Sequence, residues 1–60
     1  MAYNNIHNIT AGQVYVNRKT GEEVTVTKYT KTDATRGEVK VQGRAFAIGN
    51  LTFLNEYRLK

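Results

Sequence analysis

The chain has no cysteine, no proline, no tryptophan, no serine and a single histidine, His7. Each absence removes a class of protein. Without cysteine there is no disulfide framework, and one imidazole cannot build the usual four-ligand zinc site, so no metal is expected. Nucleophilic catalysis needs a nucleophile, an adjacent base and an orienting group, and neither serine nor cysteine is available to start it. Glu22-Glu23 is no paired-carboxylate site either, because neighbours on a strand face opposite ways. Gly43 and Gly49 stand too far from other glycines to cradle a phosphate, so no cofactor is expected. The chain is therefore read as a non-enzyme with no small-molecule substrate.

No stretch approaches 18 apolar residues, and Met1-Ala2-Tyr3-Asn4-Asn5 lacks a basic segment followed by an apolar run. That argues against membrane spanning and secretion and, with the missing cysteines, for a reducing, cytoplasmic setting. Asn8-Ile9-Thr10 and Asn50-Leu51-Thr52 match the glycosylation pattern, which matters only in a secreted chain and is read here as chance.

At 60 residues the chain makes one domain, and such a domain buries only about 60% of the surface exposed on unfolding. A single core of this size supplies roughly 3–5 kcal/mol. Apolar side chains must provide nearly all of it. Nine Lys and Arg against five Asp and Glu give a net charge of +4, an excess that favours anionic partners and also keeps a small domain soluble.

With proline absent, the five glycines divide the chain into strand-sized pieces, as in a small barrel or sandwich. Gln13–Asn17 alternates with period two, predicting Val14 and Val16 inward and Tyr15 outward. A tight turn follows, with Gly21 available for the left-handed conformation. Glu22–Lys31 is rich in β-branched residues, with Val24 and Val26 inward. Strict alternation would then bury Lys28, so a bulge or bend is expected there.

Beyond a polar turn at 33–37, Glu38–Gln42 forms a third strand with Val39 and Val41 inward. Gly43-Arg44 has the form of a two-residue type II′ turn, leading to a fourth strand, Ala45–Ile48, that buries Phe46 and Ile48. The tail allows two readings. Asn50 can cap a helix of up to ten residues, or one tight helical turn over 51–54 can lead into a last strand, Tyr57-Arg58-Leu59, with Tyr57 and Leu59 inward. The second is adopted, because four strands leave an edge that a fifth would cover.

Gly12-Gln13-Val14-Tyr15-Val16, Thr20-Gly21, Val24-Thr25-Val26, Val39-Lys40-Val41 and Leu51…Phe53-Leu54…Tyr57…Leu59 together give an order that resembles the Src-homology-3-like small barrels, which include KOW, Tudor and ribosomal-protein-like domains. The resemblance implies an all-β, five-stranded SH3-like barrel over residues 12–60. It also implies a single 3-10 turn before the last strand. Residues 1–11, with Tyr3, Ile6 and Ile9, are expected to be irregular chain packed over one end. Lacking tryptophan and proline, the sequence departs from the proline-clasping members, and its spacing after Gly21 departs from the KOW pattern.

Barrels of this size bind single strands or structured RNA by laying the backbone along a basic groove while aromatic rings stack on bases. With the valines inward, Tyr15, Lys40 and Arg58 fall on outward faces and Arg18, Lys19, Arg36 and Arg44 in turns. Tyr15 is thus the expected stacking platform, and Arg18, Lys19, Lys40, Arg44 and Arg58 the expected phosphate contacts of a nucleic-acid-binding domain. The alternative is a module that grips a host protein, as phage and mobile-element products do. Its sequence argument is the four tyrosines, a residue type enriched at interfaces.

Overall fold

A computed structural model describes residues 8–60; Tyr3, Ile6 and His7 lie outside the described residues. Strands β1 (Val14–Asn17), β2 (Glu23–Lys31), β3 (Gly37–Val41) and β4 (Ile48–Gly49) are followed by helix α1 (Asn50–Glu56) and strand β5 (Tyr57–Leu59). They form one curled, antiparallel, five-stranded sheet in the order β4-β3-β2-β1-β5.

The long central strand serves both halves of the sheet. Its first part pairs with β1, Tyr15 opposite Val24, and its remainder with β3, Tyr29 opposite Val39. Between these parts the register shifts at Val26/Lys28. This is the bulge expected from the position of Lys28, and the extra residue, Thr27, donates its hydroxyl to the Lys40 carbonyl at 3.1 Å. Lys28 is left exposed and Tyr29 packs against the core, so the shift spares an ammonium group from burial. Val24, Val26, Val39 and Val41 all face inward as their alternation predicts.

Strand β1 reverses the expectation. Tyr15 is only 4% exposed and belongs to the core, whereas Val14 and Val16 are half-buried on the outer face. Val-Tyr-Val is apolar at every position, so alternation defines two faces without naming the inner one. The larger ring wins the interior because it meets Phe53 edge-on, with centroids 4.8 Å apart at 65°. Phe53 in turn stacks on Tyr57 at 4.9 Å and 16°. The i,i+4 spacing of Phe53 and Tyr57 puts both rings on one side as the chain leaves the helix.

Three further expectations are corrected. The β3–β4 connection turns on Gln42-Gly43, with the Arg44 amide donating to the Val41 carbonyl at 3.3 Å and Gly43 at φ +85°. A positive φ at the third turn position alone is type II, whose twist splays strands instead of pairing them. Residues 44–47 accordingly leave the sheet, β4 shrinks to two residues, and Phe46 is 84% exposed.

The segment before β5 is a seven-residue α-helix in place of the expected 3-10 turn. Asn50 opens it from within, 2% exposed, and donates to the Thr35 carbonyl at 3.4 Å instead of capping. That burial also denies it to any glycan. Leu59, finally, is 54% exposed, because β5 is an edge strand that the core reaches only at Tyr57.

Ile9 is fully buried, so the core takes in chain that precedes Gly12. The β2–β3 turn is tied down by its own side chains. Asp33 Oδ1 accepts from the Thr35 and Arg36 amides at 2.9 and 2.8 Å. Beside it Gly37 is buried under the Tyr29 ring, whose hydroxyl occupies the space that a Cβ would need.

Candidate functional site

Strand β1, the end of α1 and strand β5 enclose a groove of about 440 Å³, lined by Asn8, Gln13, Tyr15, Arg18, Leu54, Tyr57, Arg58 and Leu59. Its wall is set by short-range bonds. Gln13 Oε1 accepts from the Thr10 amide at 2.9 Å and from the Tyr15 hydroxyl at 3.2 Å, holding the chain before β1 against the sheet. Arg18 is fixed twice: its amide donates to the Glu56 carbonyl at 2.8 Å, and its Nη2 donates to the Leu54 carbonyl at 3.2 Å. A guanidinium has five N–H donors, so this anchor leaves others for a ligand. Arg58 alternates outward on β5, opposite Val16.

Electrostatically the groove is one-sided. Two arginines line it and no carboxylate does. Burial raises the pKa of the Tyr15 hydroxyl, keeping it neutral, so the tyrosine adds no negative charge at ordinary pH. An adjoining hollow, lined by Arg18, Lys19, Thr20, Asn17, Asn55 and Glu56, extends the basic surface and contains one acidic group. Lys19 rides on the β1–β2 turn, shaped by Asn17 Oδ1 accepting from the Lys19 and Thr20 amides at 2.8 and 2.9 Å, with Gly21 at φ +79° as expected.

Of the residues expected to act together, Tyr15, Arg18 and Arg58 line this groove and Lys19 adjoins it. Tyr15 cannot be a stacking platform there, because its ring faces are spent on the core. Arg44 reaches the groove from outside: its Nη2 is 3.5 Å from the Tyr57 hydroxyl and 3.5 Å from Glu22 Oε1. That ion pair is half-exposed and stabilises little. Lys40 lies elsewhere, on the outer face of β3 directly opposite Lys28.

Sequence reasoning missed Gln13 and Tyr57 as lining residues of the groove, and it missed the exposure of Phe46. The first two carried no signal of their own, whereas Phe46 was misassigned through the turn type at Gly43. Among the described residues no group of three His, Cys, Asp or Glu is placed to hold a metal ion, and no helix is long and apolar enough to cross a membrane. Comparison with protein-family models, curated proteins and solved structures gives no match.

Proposed function

We propose that this chain is a non-catalytic, cytoplasmic nucleic-acid-binding domain built as a barrel of the Src-homology-3-like kind, and that phosphate groups of its ligand enter the groove between Arg18 and Arg58. The observation that carries this reading is the groove's charge: two guanidinium groups and no carboxylate in its lining. Arginine suits the role because its planar fork meets phosphate oxygens in pairs. The amide side chains of Asn8 and Gln13 add neutral polar groups to a surface suited to a sugar–phosphate backbone. Support for the barrel assignment is the strand order with β2 shared between two halves and a short helical segment directly before the last strand.

Fluorescence anisotropy with labelled single-stranded DNA, duplex DNA and RNA at several salt concentrations tests the reading. Contacts from Arg18, Lys19 and Arg58 give a log–log salt slope of about −2 on a single strand, and Arg58→Gln shallows it by roughly 0.7. No binding at low salt, or binding indifferent to salt, rejects the proposal.

A further inference from the structure

We propose that Phe46 is a base-stacking residue, and that the nucleic acid taken by the groove is therefore single-stranded. The inference rests on the function proposed above. Tyr15, Phe53 and Tyr57 are buried against one another and Tyr29 packs on the core, which leaves Phe46 as the one described aromatic ring open to solvent, 84% exposed.

An exposed phenylalanine forgoes the burial that drives folding, so its ring contributes nothing to this core. Nothing in its own loop covers it, since residues 42–47 are all exposed, and the adjacent Ala45 and Ala47 are too small to shield its faces.

The loop that carries the ring is tethered at the edge of the groove. Arg44 approaches the hydroxyl of Tyr57, a groove-lining residue, and Phe46 follows Arg44 by two residues, a length of chain that spans at most about 7 Å. On this proposal a backbone held by Arg18 and Arg58 continues to Arg44, exchanging its exposed pairing with Glu22 for phosphate, and so to the ring. Cations flanking an open aromatic face are the pairing that single-strand binders use, phosphate on the charge and base on the ring. A duplex offers no free base face, because its bases stack on each other. Discrimination between single strand and duplex is thus assigned to Phe46, and general affinity to the arginines.

Because the chain has no tryptophan, Phe46→Trp introduces a single indole at the proposed contact. Titration of that variant with an oligothymidine single strand, and with a loop-free, blunt-ended duplex of the same phosphate count, should quench its emission with the single strand only. In anisotropy, Phe46→Ala should bind the oligothymidine roughly 5- to 150-fold more weakly with the salt slope unchanged. Unaltered circular dichroism would show that both variants fold.

Single-strand binding that depends on salt but neither quenches the indole nor weakens in Phe46→Ala overturns this assignment while leaving the groove's function intact, and marks the ring as a protein contact instead. A wild-type chain that binds neither probe at low salt overturns both.

Discussion

The hairpin of β2 and β3 and the junction of β1, α1 and β5 are built from the same kinds of residue and solve the burial problem differently. In the hairpin, valines alternate with charged or hydroxylated residues, so the polar partners alone decide which face is inner. At the junction the apolar residues run together, and an aromatic cluster decides: Tyr15 edge-on to Phe53, which stacks on Tyr57. Alternation defines two faces; only a contrast in polarity, or a specific partner across the core, chooses between them.

If the junction depends on its rings, Phe53 should be its most sensitive residue. Phe53→Ala removes a fully buried ring that touches both tyrosines, and such a truncation costs about 3–5 kcal/mol. That equals the whole stability expected of a core this size, so the variant should show no cooperative unfolding transition in urea. A variant that still unfolds cooperatively near the wild-type midpoint would mean the hairpin carries the fold without the stack.

A matched pair of substitutions sharpens the contrast between strands. Val26→Thr buries a hydroxyl at a position 1% exposed and should cost roughly 1–3 kcal/mol. Val16→Thr, on the outer face of β1, should stay within about 0.5 kcal/mol of wild type. Equal losses in urea melts would indicate that β1 packs through its valines after all.

The smallest effect belongs to the hairpin's turn. Asp33 has its pKa lowered by the Thr35 amide bond first, with further help from the Arg36 amide, the Thr35 hydroxyl and the Arg36 charge, which together outweigh the opposing desolvation. A depressed folded pKa gives stability that is present above the unfolded value of about 3.9 and lost as pH falls through the folded value. The Thr35 and Arg36 amide resonances should therefore move below about pH 4, and in Asp33→Asn they should not.

Much of the hairpin was legible in the sequence for a physical reason. Val24, Val26, Val39 and Val41 each sit between polar neighbours, and the bulge followed from the impossibility of burying Lys28. The junction was not, because Tyr15 lies between two valines and its partner Phe53 is far along the chain, where local pattern has no reach. The β3–β4 turn failed on a single dihedral: Gly43 permits a positive φ at either turn position, and moving it by one residue turned Phe46 from a core residue into an exposed ring.

The candidate site was half legible for the same reason. Turn cations such as Arg18 and Lys19 are exposed whichever face is inner, and Arg58 follows from Tyr57 turning inward, whereas the placement of Tyr15 and the isolation of Lys40 from the groove depended on the sheet's curl.

The pairing of β1 with β5 joins segments near opposite ends of the chain, Tyr15 beside Leu59, while the β1–β2 and β2–β3 pairs are local hairpins. Closing a long loop is entropically the slow step of such a topology. Because β1 and β5 both wall the groove, the groove exists only when those two strands are paired. If the groove binds as proposed, ligand capture would serve as a kinetic readout of completed folding, because no state in which β1 and β5 are apart presents it.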